Sequence, residues 1–533
     1  MAVLSGLWNK FKESDKEELI RKLVIGFFVI YFIAGAFIVK DYGASSDENF
    51  ERMTAQFNLD YITGKNTDLL TYSDRHYGVL FTLPLELASP LFPDSRDYFF
   101  FRHFATFLFF YLSTIVFYKL LRSLGFKRLL SLVGTIFLVL QPTIFAHSFF
   151  NLKDIPFLSV FIVSLYTLAQ FIKTGSYKAA VIHGVVTGIL IVFRLPGVLM
   201  WGITALMFGW LYVVRTLNGK QFASKVGVFL LSSFGSLYLF LPILWRNPLR
   251  EMATYLSMSP FEWNNEELFM GNFYTLANLP LSHIFVYFGI SMPLVLLFLF
   301  VVALVIFFKE LLVDQKLFHA DKYRMVLALI ALSVTAEIFL VLRPAVYNGW
   351  RHLFFAYPIF LLFVIEAIEW LWNGNLKINL SWIELSRWLR ISLAALITGQ
   401  ILLLLVFNAQ SHPYQFTYYN WLAGRKLSYA RQNYVMDYWG LSYRQAFEKI
   451  LAADDSAKVI VRVDDIVPAS INLLLLEPAQ RERIQLVEMG SQKRVDYMVM
   501  IYKNNLYLDR KGYELIDSIY VRGAIISGTY KTK

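Results

Sequence analysis

Long apolar runs separated by short charged breaks set the rhythm of this chain. They occupy residues 23–39, 102–121, 128–147, 155–172, 178–193, 195–214, 226–244, 284–308, 325–342, 352–371 and 389–407. A hydrocarbon core takes roughly 20 apolar residues per helix, so the pattern predicts a polytopic α-helical membrane protein with about eleven transmembrane helices. Within 178–214, Arg194-Leu195-Pro196-Gly197 interrupts one apolar stretch. A charge with Pro and Gly at that point predicts a tight turn between two spans. Past residue 408 the period changes: 458–463, 495–500 and 514–521 read as strands, and 469–476 reads as a short helix. The chain thus divides into a transmembrane unit, 1–408, and a small α+β unit, 409–533. Two large connections, 41–101 and 245–283, lie on one side of the membrane. In the first, 76–92 is half polar and carries Pro84 and Pro90, as an interfacial helix would; the second is rich in aromatic residues.

Composition supports this division. Of 533 residues, 57% are hydrophobic and 17% aromatic, beyond what a soluble fold of this length needs. The N-terminus carries Lys10, Lys12, Lys16, Arg21 and Lys22 ahead of a full-length span, which excludes a cleavable signal. Cysteine is absent, excluding disulfides, thiolate metal sites and a cysteine nucleophile. The net charge of +11 does not point to nucleic acid, because the cations cluster in short loops such as Lys119 to Arg128 and Lys173 to Lys178. The positive-inside rule puts these loops and the N-terminus in the cytoplasm, and the acidic first loop and C-terminal unit outside.

Ionisable residues beside spans mark function by default. On the outer side they come from separate segments: Asp47 and Glu48; Arg75 and His76; Arg102 and His103; Asn151, Lys153 and Asp154; Arg194; and Arg343, Arg351 and His352. Each has a structural alternative. Ser46-Asp47-Glu48 also reads as a helix start, and Asp154 before Pro156 as an N-cap. Arg102 and Arg351 also suit snorkelling to headgroups. His103, His147 and His352 read as structural polar groups rather than metal ligands. Taken together, the set suits a substrate with a lipid tail and a phosphate head. Lys153, Arg102, Arg194, Arg351, His76 and His352 are the candidate phosphate partners. With phosphate as leaving group, a carboxylate need only take the proton of an incoming hydroxyl, a general-base role for Asp47. Asp154 would orient the acceptor or, with Asp47, help hold a divalent cation (Mg, Mn or Zn). Tyr414, Tyr418, Tyr419, Trp421 and Trp439 suit either sugar stacking or an interfacial aromatic belt.

At these residues the chain resembles the GT-C membrane glycosyltransferases, family 39-like, which include protein O-mannosyltransferases and aminoarabinose transferases. The resemblance rests on Ser46-Asp47-Glu48, His76-Tyr77-Gly78, Asn151-Leu152-Lys153-Asp154-Ile155-Pro156 and Gly349-Trp350-Arg351-His352-Leu353. Two further segments carry it, His412-Pro413-Tyr414-Gln415 and Asp437-Tyr438-Trp439-Gly440. It implies a catalytic aspartate at Asp47 with Glu48 beside it, and a second catalytic acid at Asp154. It also implies an inverting transfer from a polyprenyl-phosphate sugar to a lipid, glycan or protein hydroxyl, in a bacterial inner membrane. Where mannosyltransferases have His-Pro-Pro this chain has His76-Tyr77-Gly78, which leaves the sugar and acceptor open. Two other readings compete. A transporter or flippase would place charged sites near the midplane and show repeats, and neither is visible. An O-antigen-type ligase would rely on outer arginines and a large periplasmic loop rather than an early acidic pair.

Overall fold

In the computed structural model, residues 2–214, 216, 218–257, 266–313, 319, 322–341, 346–373, 383–502 and 512–533 are described. Arg343 lies outside them. The protein is a polytopic helical membrane protein with a small C-terminal sheet domain. Among the described residues, nine helices are long and apolar enough to cross a membrane. Arg128–Leu140 and Pro142–Phe150, bent by 65°, form either a tenth, broken span or a re-entrant loop. Pro142 ends one helix and opens the next, and the Gln141 side chain caps the second through Ile144 N at 2.7 Å. The same side chain donates to the Ser291 carbonyl at 3.1 Å, tying the bend to a neighbour. Tyr177–Phe193 is a shorter apolar helix of 17 residues. It ends at the extended Arg194, and a 3-10 turn, Leu195–Val198, leads into Leu199–Val213, so the expected turn is present. A Cβ on Gly197 would fall 2.7 Å from the backbone of Leu190 and Ile191, so the turn closes tightly on the helix it leaves. The expected span 284–308 is divided at Pro293 into Ser282–Ser291 and Leu294–Leu312.

Two spans, Asp154–Thr174 and Arg351–Trp372, are far more enclosed than the others and form the centre of the bundle. Both begin at a charged residue at the same end. A hydrophobic stripe alone does not bury a helix on all sides; these two are apolar all round, which suits a central position.

The outer segments differ from expectation in detail. Only Thr82–Leu87 of 76–92 is α-helical, followed by a 3-10 turn at Ser89–Leu91. The connection 245–283 contains a helix, Pro248–Leu256, and a hairpin, β1 (Glu266–Phe269) and β2 (Asn272–Thr275). The C-terminal sheet has the strand order β4-β3-β5-β7-β6, from β3 (Val459–Val463), β4 (Ile484–Glu488), β5 (Tyr497–Met500), β6 (Tyr513–Val521) and β7 (Ala524–Thr532). β3 pairs in parallel with β4 and β5, while β7 pairs antiparallel with β5 and β6. The short helix runs over Ile466–Leu473, three residues earlier than the sequence pattern indicates.

This domain grips the start of the first loop. Asn472, fully buried, accepts from Ala44 N at 3.0 Å and donates to Ala44 O at 2.9 Å and Gly440 O at 3.1 Å. Arg444 donates to the carbonyls of Lys40 and Tyr42. Gly43 passes so close to the Leu441 carbonyl that a Cβ would sit 2.3 Å from its oxygen. A buried polar group left without its partner costs about 1–3 kcal/mol. Asn472→Ala therefore lowers the thermal unfolding temperature in detergent and speeds proteolysis of the first loop. Asn472→Asp does the same, since a carboxylate cannot donate to the carbonyls. Unchanged melting and proteolysis in both variants would remove Asn472 as the clamp.

Candidate active site

Asp47 opens the helix Asp47–Ile62, with no side-chain cap from Ser46. Asp154 opens the central helix Asp154–Thr174. The cap there comes from Asn151, whose Oδ1 accepts from Lys153 N at 3.1 Å and Asp154 N at 2.8 Å. That frees the Asp154 carboxylate for other partners. One oxygen meets Arg194; the other accepts from Asn151 Nδ2 at 3.0 Å and Arg351 Nη1 at 3.1 Å. The same Arg351 nitrogen lies 3.5 Å from Asp47 Oδ2. One guanidinium thus joins aspartates from two distant loops.

Exposure separates the two acids. The Asp154 side chain is 2% exposed and that of Asp47 is 33% exposed. An ionised carboxylate as buried as Asp154 must be paired, and two guanidiniums meet that need. Lys153 points to Glu51 at 3.3 Å and lies 3.6 Å above the Tyr77 ring. Burial pushes the Glu51 carboxyl up, against the pull of Lys153. For Lys153, burial works against the charged form, but Glu51, Tyr77 and Asp47 together outweigh it and the pKa ends raised. Burial lowers the Arg194 pKa, and the nearby Arg351 lowers it further. An anion placed between these cations would relieve both effects.

Arg351 is itself held from three sides. Its guanidinium lies 4.7 Å from the Tyr347 ring centre and 4.9 Å from that of Trp439. The turn before it, with positive φ at Asn348 and Gly349, is fixed by Glu267 on β1, which accepts from Asn348 N at 3.2 Å and Gly349 N at 3.3 Å. Glu267 and Glu51 were not among the expected residues. Glu51 had a signal, since four residues after Asp47 it shares a helix face. Glu267 had none, because its partners lie some eighty residues on.

Three expected residues lie apart from this cluster. Glu48 is 1% exposed; it accepts from His103 Nε2 at 2.9 Å, Arg102 Nε at 3.4 Å and Ser45 N at 3.3 Å. A substrate hydroxyl has no path to it, which corrects its expected catalytic role. Arg102, fully buried, spends its remaining reach on Tyr98 Oη at 3.2 Å and the Glu48 carbonyl at 3.4 Å, so it is no phosphate partner. His76 bonds Glu251 at 2.9 Å and stacks on Tyr255, and burial lowers its pKa. His352, by contrast, stays at the cluster: it lies edge-on to Tyr347, its ring centre 5.0 Å away, and the same ring faces the Arg351 guanidinium. Among the described residues, no three His, Asp or Glu side chains are grouped to hold a metal ion. With Arg194 and Arg351 on their carboxylates, Asp47 and Asp154 do not fit a resident divalent cation as they stand. The buried Glu48–Arg102 pair supplies a test of its structural role. Breaking such a pair costs about 3–5 kcal/mol, so Arg102→Leu is expected to lower the melting temperature sharply. Glu48→Gln, which keeps an acceptor, retains measurable turnover in the folded fraction; its loss at normal melting would restore Glu48 to the reaction.

The structural likeness to known proteins is modest. The crystal structure of the Archaeoglobus fulgidus oligosaccharyltransferase, in its apo form, is 12% identical with a TM-score of 0.45, covering 89% of this chain and 69% of that one. ArnT from Cupriavidus metallidurans gives 13% identity and 0.45 in the apo state, covering 95% and 98%. Its form bound to undecaprenyl phosphate gives 12% and 0.45, covering 95% and 97%. No curated protein matches the chain in sequence. Residues 81–255 match the family model described as dolichyl-phosphate-mannose-protein mannosyltransferase. This match agrees with the resemblance drawn from the motifs, and the enzyme class it carries is glycosyl transfer.

Proposed function

We propose that this protein is an inverting glycosyltransferase that moves a sugar from a polyprenyl-phosphate donor to a hydroxyl acceptor at the extracytoplasmic membrane face. The observation that carries the reading is the pair of aspartates on one guanidinium, Asp47 and Asp154 on Arg351, with Arg194 and Lys153 beside them. The side of the membrane follows from the cations in the opposite loops.

In this reading Arg351, Arg194 and Lys153 take the donor phosphate, and their charge stabilises it as a leaving group. Asp47, the accessible acid, accepts the proton of the acceptor hydroxyl. The acceptor oxygen forms its bond to the anomeric carbon as the carbon–phosphate-oxygen bond breaks. The electron pair leaves with the polyprenyl phosphate, and attack from the opposite face inverts the carbon. Asp154 fixes both arginines. Support comes from the match of residues 81–255 and from the name of one structural neighbour, bound to undecaprenyl phosphate.

Asp47→Asn keeps the shape and removes the base, so turnover with a polyprenyl-phosphate sugar should fall by about 10²–10⁴-fold. Binding of undecaprenyl phosphate in nanodiscs should stay at the level of the unmutated protein. Full activity in this variant would overturn the reading. Arg351→Lys keeps a charge but not the planar fork that reaches both acids. Its expected signature is weaker binding of the lipid phosphate together with lower turnover; wild-type values for both would show that Arg351 does not hold the phosphate.

A further inference from the structure

The segment between the last span and the C-terminal sheet is basic and aromatic. From Ala409 to Met436 it holds Arg425, Lys426 and Arg431 but no Asp or Glu. Arg431 lies over the Tyr502 ring at 4.4 Å. Arg425 and Lys426 are exposed, and among the described residues no carboxylate pairs with either. They sit on a turn whose apolar side chains are also left open: Trp421 is 77% exposed, Leu422 64% and Tyr429 56%. Gly424, with φ of 123°, folds this turn back so closely that a Cβ there would fall 2.4 Å from the Tyr429 ring.

Asn420 fixes the depth of the turn. Its backbone N–H donates to the Ile290 carbonyl at 2.7 Å, and its side chain donates to those of Gly289 and Met292, each at 2.7 Å. These carbonyls close the helix Ser282–Ser291, just ahead of the span Leu294–Leu312. At about 1.5 Å per residue, the 19 residues of that span cover about 28 Å, the thickness of a hydrocarbon core. Leu294 therefore marks the edge of the hydrocarbon, and the turn that begins at Trp421 is pinned beside it. A further cation stands at the end of the last span. Arg522 and Gly523 turn the hairpin of β6 and β7 with φ of 46° and 83°, a geometry that suits Asn or Asp ahead of Gly better than a long side chain. The guanidinium so placed lies 5.2 Å from the ring centre of Phe407, one turn before that span ends at Gln410. Phe407 also meets the ring of Tyr418, 4.8 Å away and three residues before Trp421.

We propose that the turn Trp421–Tyr429 and the hairpin tip at Arg522 form a docking face for anionic phospholipid headgroups in the leaflet below this domain. Trp421, Leu422 and Tyr429 enter the headgroup level, where amphipathic rings are most stable, and Arg425, Lys426 and Arg522 meet the lipid phosphates. A surface with three cations, no acid of its own and an apolar centre at the hydrocarbon edge is complementary to such a leaflet. A protein partner would need no such depth. The contact would tie the C-terminal domain to the bilayer at the segment that leads to Trp439, whose ring lies against Arg351. The proposal stands apart from the glycosyl-transfer reading and uses none of its residues.

Because the chain has no cysteine, Leu422→Cys in the full-length protein carries a single environment-sensitive fluorophore. The labelled protein is placed in nanodiscs of phosphatidylcholine, or of an equal mixture with phosphatidylglycerol, each containing lipid with a nitroxide at the headgroup boundary. Quenching is expected in both, and about threefold more of it in the anionic discs. Adding Arg425→Gln, Lys426→Gln and Arg522→Gln together should remove that excess. Arg425→Lys with Arg522→Lys, which keeps the charge, should retain it. No quenching in either disc would place the turn in water or on a protein partner and overturn the proposal. Equal quenching in the two discs would show contact without a preference for anionic lipid, and also overturns it. So does an excess that survives the three glutamines, or one lost equally with lysines, which would assign the effect to local packing. The readout is depth rather than turnover, so its failure leaves the glycosyl-transfer reading untouched and is told apart from the failure of that reading.

Discussion

A carboxylate that water hardly reaches constrains the whole arrangement. Asp154 begins one of the two central helices and is 2% exposed, so its charge has to be met by protein. Arg351 begins the other central helix, and Arg194 ends a third. Bringing those guanidiniums to one carboxylate fixes the heights of three helices relative to one another. The apolar surfaces alone would tolerate sliding, because lipid-facing and buried side chains differ little in polarity. The ion cluster supplies the register that hydrophobic packing leaves loose. It also places the remaining positive charge beside the exposed Asp47.

Adjacent residues in the first loop have opposite fates for a simple geometric reason. Asp47 and Glu48 are neighbours at a helix start, so their side chains leave the axis about 100° apart. One direction meets Arg351 and solvent; the other meets the buried Arg102 and His103. Glu48 therefore anchors the helix whose first residue is the candidate base. The C-terminal domain completes the support from the other side, through Asn472 on both backbone groups of Ala44. A reacting group needs placement to within a fraction of an ångström, and a loop residue gains it only from such flanking contacts.

Much of the fold was legible in the sequence, for physical reasons that also explain what was not. Apolar runs of span length have no other stable setting, so the helices and the turn at Arg194 could be read directly. Charges at span ends were legible as candidates because burying them is costly. Their pairing was not. His76 finds Glu251, and Arg351 finds Asp154, across 175 and 197 residues, and nothing local encodes either contact. That Glu48 turns inward onto Arg102 and His103 required the phase of a helix whose first residue the sequence left uncertain. The split of 284–308 at Pro293 was masked by apolar residues on both sides. β4, β7 and the β1–β2 hairpin were missed because short strands with mixed polarity have weak alternation, and their pairing is decided by the sheet around them.

The charge balance of the cluster carries one more step. Asp47, Asp154 and Glu51 face Lys153, Arg194 and Arg351, an equal count if every group is ionised. Burial raises the Glu51 pKa, and the anionic neighbours of Lys153 raise its pKa against burial. Beside them the charged form of Arg194 is disfavoured by its own burial and by Arg351. A site in that condition gains from an incoming anion on two counts, new attraction and relief of repulsion between guanidiniums. A free polyprenyl phosphate, the product in the proposed reaction, carries more negative charge than a sugar diester. In the proposed reaction the cluster would favour the leaving group over the bound donor, and stabilisation that grows as the bond breaks would lower the barrier rather than merely tighten binding.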